Sequence, residues 1–205
     1  FRTIKGRTLS LTENKLFFPL EGETNVSYDF FNDINFINPS TLKFQNEGLY
    51  NRCISLFTQL GVKNTTPAEI IENHIVPTYI DGSFRNKSKT IQINYVKYIK
   101  DNFKTYYDTY GSGGLERLRK YLSFYCINED GYEELKFVKE CHISEIYGNT
   151  NKLEYLLKGN KEVFYVSPVY LSENEKNDDK SLLLWEEFLA KLNVHNGFIV
   201  ISETT

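Results

Sequence analysis

The chain has 205 residues, 40% of them apolar and 25% charged, with a formal net charge of -3. That length suits one domain or two small ones sharing a core. The acidic balance lacks the basic excess that a non-specific nucleic-acid binder carries. Three cysteines, Cys53, Cys126 and Cys141, are odd in number and scattered, which excludes a disulfide framework and points to a reducing, cytoplasmic setting.

No apolar run approaches the roughly 18 residues of a membrane span; the longest, Leu182–Trp185 and Phe198–Ile201, are core-sized. Fifteen Tyr and fifteen Phe supply large burial per residue and amphipathic surface for a partner. Phe1 is not an initiator and no Met occurs, so the chain reads as a piece of a longer protein. Asn-x-Ser/Thr matches at Asn25, Asn64 and Asn86 are what chance gives in an Asn-rich sequence.

In chain order, residues 7 to 18 read as a hairpin turning at Glu13-Asn14, and Asp33–Ile37 as a strand stopped by Asn38-Pro39. Residues 47 to 60 read as a helix, with Leu49, Cys53, Leu56, Phe57 and Leu60 on its apolar face and Gly61 as its stop. A second helix starts at the cap Thr66-Pro67, with Glu69 completing a capping box and Pro77 ending it. Residues 80 to 90 read as a polar surface loop. A long helix is expected from Gln92 to about Tyr110, with Val96, Ile99, Phe103, Tyr106 and Tyr110 as a buried stripe. Gly111-Ser112-Gly113-Gly114 breaks it, and Leu115–Tyr121 forms a further short helix.

The last third returns to strands. Leu122–Ile127 and Glu134–Val138 flank the turn Asn128–Gly131. Thr150–Leu157 reads as a helix, Val163–Val166 as a strand, and residues 172 to 180 as a charged loop. Leu182–Leu192 reads as a helix with Trp185, Phe188, Leu189 and Leu192 inside, followed by a final strand at Phe198–Ile201.

Two stretches echo each other. Ile34–Leu42 matches Val163–Leu171, each a strand, a small polar residue, Pro, two residues and Leu. Leu56–Val62 then matches Phe188–Val194 after a loop of variable length. A period this long implies duplicated units rather than a solenoid turn. The expected fold class is α+β, with duplicated small strand–helix units flanking a helical middle segment. The divisions are 1–79, 80–121 and 122–205.

At these residues the chain resembles the inter-domain repeats of sacsin-like and NO VEIN-like proteins. The phrase Phe164-Tyr165-Val166-Ser167-Pro168-Val169-Tyr170-Leu171 precedes a Trp-containing helix, Trp185–Val194, with Asn193 where the family pattern has Gly. Leu60-Gly61-Val62, then Thr66–Ile71 and His74–Pro77, and Phe137-Val138-Lys139 continue the same order. The resemblance implies a segment of a large protein with an Hsp90-type ATPase domain elsewhere; the motifs of such a domain are not in this chain.

The candidate chemistry is thin. Cys141-His142 with Cys126 falls short of four zinc ligands, and His142 reads as a surface histidine. Glu72 and His74 stand about 200° apart on a helix and cannot cooperate; His74 suits the helix end. Cys53 reads as inert core. Gly111–Gly114 with Arg117, Arg119 and Lys120 lacks the Gly-Lys-Ser/Thr ending of a P-loop and reads as a connection. Arg85, Lys87, Lys89, Lys97, Lys100 and Lys104 form the one basic concentration, interleaved with Tyr95, Tyr98 and Tyr107. They are the possible interaction surface, for nucleic acid or an acidic partner. The expected function is a non-catalytic interaction or scaffold module, needing no cofactor or metal. Its partner would be another protein or another domain of the same chain. The alternative is a nucleic-acid-binding module using the basic face of residues 92–110.

Overall fold

A computed structural model describes residues 1–10, 15–20, 31, 34–44, 46–148 and 159–197. The turn expected at Glu13-Asn14, the helix at Thr150–Leu157, the strand at Phe198–Ile201 and the first residue of the Asp33–Ile37 strand lie outside them. The chain is α+β and forms two compact units, Phe1–His74 and Ile75–Thr205.

In the first unit β1 (Leu16–Phe17) pairs in parallel with β2 (Asn35–Phe36). Ile37 bridges Thr3, Arg2 bridges Thr8, and Phe17 bridges Lys63. Arg2 and Thr8 are therefore the antiparallel pair at the start of the chain, and Leu16–Phe17 belongs to a parallel pair with β2 rather than to a 7–18 hairpin. Gly6 makes the tight turn possible at a φ of 73°, a left-handed conformation that costs glycine little.

After β2 the Asn38 side chain accepts from the Ser40 amide and Pro39 opens a 3-10 turn, Pro39–Leu42. Helix α1 (Glu47–Gln59) starts on the Asn46 side chain, which accepts from the amides of Gly48 and Leu49. It ends at Leu60 with Gly61 at a φ of 98°, and Val62 N–H returns to the Phe57 carbonyl at 3.0 Å. Ile54 and Phe57 pack on the core of Leu16, Phe18, Ile37 and Val62. The face expected to be buried is largely not: Leu49, Leu56 and Leu60 are about half exposed and Cys53 half-buried. Periodicity identifies residues that share a face; it does not say that the fold covers that face.

Helix α2 (Pro67–Ile70) carries the expected Thr66–Glu69 capping box. It widens into a π turn, Ile71–Ile75, and α3 (Val76–Ile80) follows. Pro77 thus does not end the helix. The wide turn resets the hydrogen-bond register, so Pro77 falls in a first turn, where its missing N–H is not needed.

In the second unit the segment expected as a surface loop holds a 3-10 turn, Ser83–Asn86, whose Phe84 is buried and stacks on Tyr79 at 3.9 Å. The long helix is two helices: α4 (Lys89–Asp101) and α5 (Phe103–Tyr121) separate at Asn102. The Asn102 side chain donates to the Tyr98 carbonyl at 3.0 Å, competing with the helical ladder. Gly111 (φ 57°, ψ -149°) kinks α5. A Cβ at Gly114 would sit 2.7 Å from Tyr110 Cβ and 3.0 Å from the Tyr106 ring, so this glycine serves close packing.

Strands β3 (Ser123–Ile127) and β4 (Glu133–Phe137) form the expected hairpin, and β5 (Tyr165–Val166) pairs antiparallel to β3. His142 bridges Tyr165 and His195, both in parallel. Helix α6 (Asp179–Lys191) has Asp178 as its N-cap and ends on Asn193 at a φ of 62°, with Val194 N–H bonded to the Leu189 carbonyl at 3.1 Å. Trp185, Phe188, Leu189 and Leu192 are all buried.

The two units share one strand order. Thr8, Thr3, β2, Phe17 and Lys63 in the first correspond to β4, β3, β5, His142 and His195 in the second. The bonds match as well. Asn38 and Ser167 amides go to the carbonyls of Arg2 and Tyr125, and those of Ile37 and Val166 to Phe17 and His142. Those of Lys63 and His195 go to Leu16 and Cys141.

The correspondence places Cys53 where the second copy has Trp185. Trp185→Ala should cost about 3–5 kcal/mol by removing a fully buried ring, whereas Cys53→Ala should cost less than about 1 kcal/mol. Urea unfolding of the two variants checks this; equal losses would contradict the packing described.

Candidate functional site

The basic residues singled out in the sequence divide by helix and by partner. Lys89 is paired with Glu133 and lies over the Tyr125 ring at 4.8 Å. Lys87 lies 5.6 Å over the Tyr95 ring. Lys97 and Lys100 both reach Glu175, at 3.9 and 4.0 Å. Lys100 also meets Asp101 at 2.6 Å and lies over the Trp185 ring at 5.0 Å. Lys104, beyond the Asn102 break, pairs with Asp108 at 2.8 Å and is nine-tenths exposed. Arg85 is exposed. A phosphate approaching this strip must compete with four carboxylates already in place.

Burial opposes ionisation of Glu175. The Ser172 hydroxyl and amide, with Lys97 and Lys100, more than offset it and hold its pKa below the usual carboxylate range.

Between α5 and α6 runs a groove of about 850 Å³. Phe103, Tyr107, Leu184 and Phe188 give it an apolar lining, and Lys100, Lys104, Lys191, Asp101 and Glu187 set mixed charge around it. Arg119, a candidate for anion binding, instead closes the end of α6: it donates to the Lys191 carbonyl at 2.9 Å and to Asn193 Oδ1 at 3.2 Å. That position satisfies a helix C-terminus with a cation.

Cys126 and Cys141 are buried with their sulfurs 3.0 Å apart. Burial, then the neighbouring Cys126 thiol, push the Cys141 thiol well above its ordinary range, so Cys141 is not poised as a nucleophile. His142 is buried rather than on the surface: it stands in the middle of the strand order, where both neighbouring strands cover it. Its Nδ1 has no hydrogen-bond partner among the described residues. Burial, then the nearby His195, lower its pKa, and the two rings are 5.4 Å apart. His74 packs edge-on against Phe17 at 6.1 Å. Among the described residues no three His, Cys, Asp or Glu side chains are grouped to hold a metal ion, and no helix is long and apolar enough to cross a membrane.

The most prominent unsatisfied surface is on α1. Leu49, Cys53, Leu56 and Leu60 lie within about 60° of arc at about 100° per residue, and the three leucines are 53%, 51% and 50% exposed. Their four-three-four spacing was readable in the sequence; their exposure was not. No family model, curated protein or solved structure matches this chain.

The lowered His142 pKa makes stability depend on pH. The folded state binds fewer protons than the unfolded one, so this contribution is complete above the unfolded value of about 6.5 and is lost as pH falls through the folded pKa. Urea unfolding from pH 8 to 5 should show that decline, and His142→Phe should flatten it. A decline unchanged in the variant would assign it to another group.

Proposed function

We propose that this chain is a non-catalytic interaction or scaffold module of a larger, ATPase-bearing protein, working in the cytoplasm. Its partner is another protein or another domain of the same chain. One observation carries the reading: α1 presents an apolar stripe at half exposure, while the matching face of its structural copy, α6, is buried. Isolated exposed leucines are ordinary, but a stripe of three along one helix face is the form that helix-docking surfaces take. The larger protein is suggested by the resemblance to sacsin-like and NO VEIN-like repeats. Two polar side chains of the interior also support the reading, because they hold the fold together. Gln92 donates to the carbonyls of Phe84 and Lys87, and the Tyr147 hydroxyl donates to the Ser167 carbonyl.

The competing reading is a nucleic-acid module using Lys97, Lys100 and Lys104. Three to five phosphate contacts would give a log–log salt slope of about -3 to -4.5 on duplex. The ion pairs of these lysines with Glu175, Asp101 and Asp108 weigh against it. In fluorescence anisotropy with labelled DNA and RNA, binding no tighter than about 10⁻⁴ M is expected at physiological salt. Micromolar binding that a folded Lys97→Glu, Lys100→Glu, Lys104→Glu variant abolishes would replace the scaffold reading.

A further inference from the structure

The second unit shows what covers the helix face that the first leaves open. The shared caps align Leu60 with Leu192, and therefore Leu56 with Phe188 and Cys53 with Trp185. Phe188 and Leu192 are 3% and 0% exposed, against 51% and 50% for their counterparts. Part of the difference comes from the unit's own interior, where Trp185 packs on Tyr147 and Tyr170 and Phe188 on Phe124, and part from α5. Its Phe103 ring meets Phe188 edge-on at 5.3 Å, and its Arg119 donates to the Lys191 carbonyl.

Among the described residues of the first unit, no aromatic ring covers Leu56 as Phe103 covers Phe188. No described side chain reaches the carbonyl of Gln59, the counterpart of Lys191, and the last turn of α1 carries no basic residue. Among the described residues its negative dipole end thus meets no cation from its own last turn, next to an exposed leucine stripe. One ligand answers both needs: an amphipathic helix with an aromatic residue near its start and a guanidinium near its end.

We propose that α1 is the docking site for such a helix, supplied by a partner segment and laid on Leu49, Leu56 and Leu60, with an aromatic and a guanidinium group meeting α1 as Phe103 and Arg119 meet α6. The aromatic residue covers Leu56, and the arginine caps the α1 carbonyls at Gln59. A second copy of this chain fits less well, because two facing α1 stripes bring no cation to either helix end. The proposal rests on the interaction-module reading and names the occupant that reading leaves open.

The probe is a fluorescently labelled peptide of residues 102–122, the α5 sequence itself, titrated with the full chain and followed by anisotropy. Saturable binding is expected. Leu56→Lys with Leu60→Lys in the chain should weaken it at least about tenfold, as should Phe103→Ala or Arg119→Glu in the peptide. These leucines are half exposed, so circular dichroism and Tm of the variant should match the parent; Leu49→Lys, at the far end of the stripe, serves if they do not.

Absence of binding up to about 1 mM overturns the proposal. So does binding indifferent to the α1 variants, which would show the peptide exchanging with α5 on α6. Concentration-dependent dimerisation in sedimentation, lost in the same variants, would assign the face to a second copy. Failure of the peptide with nucleic acid also unbound would remove this occupant and leave the interaction-module reading standing.

Discussion

Each unit is held by one strand residue that bonds on both sides. Phe17 in the first and His142 in the second lie between two parallel neighbours, and their flanking amides and carbonyls close onto Lys63 and His195 at 2.9–3.0 Å. A buried backbone group without a partner costs about as much as a lost hydrogen bond, so the chain must return after its long helix to supply one. The return requires the helix to stop abruptly, and that is the role of Gly61 and Asn193. Both adopt positive φ and send the next residue, Val62 or Val194, back to bond the helix and then join the sheet. Asparagine does here what glycine does in the first copy, because it tolerates the left-handed region better than most residues.

From that constraint the two units diverge by what is laid over their helices. Helix α5, kinked at Gly111, borders α6 across the groove and meets it through Phe103 and Arg119 near its two ends. The result is a dense aromatic cluster of Phe103, Phe124, Tyr170, Trp185 and Phe188. Among the described residues, the core packs against α1 through Ile54 and Phe57. Rings worth several kcal/mol of burial each occupy the matched positions in one copy. Leucine and cysteine occupy them in the other. The same strand order thus carries one helix with a buried face and one with a half-exposed face.

Much of this was legible in the residues. The α+β class, helices α1 and α6, the β3–β4 hairpin and the duplicated phrases all follow from periodicity and turn chemistry, and α6 buries the four residues its spacing names. The failures have physical causes. Pro77 reads as a stop in the sequence, but a π turn ahead of it moves it into a first turn. The stripe from Val96 to Tyr110 looks like one helix because its apolar spacing survives the Asn102 break. The basic residues look like a strip in sequence, while Glu133 and Glu175, which pair with three of them, arrive from distant segments. The burial of His142 is not visible in its neighbours along the chain because it depends on segments that meet it from residues 165 and 195. Helix α1 is the most instructive case: an apolar face is visible from spacing alone, but its cover depends on the rest of the structure.

The central claim is that both units are built on the same hydrogen-bonded strand order, and native-state amide hydrogen exchange by NMR tests it directly. The amides of Phe18, Ile37 and Lys63 should be protected together as one set, as should those of Ile143, Val166 and His195, each well above the exposed α1 amides of Gly48 and Leu49. Protection of the second set with free exchange of the first would show that the first unit lacks the shared strand order, and would contradict the account.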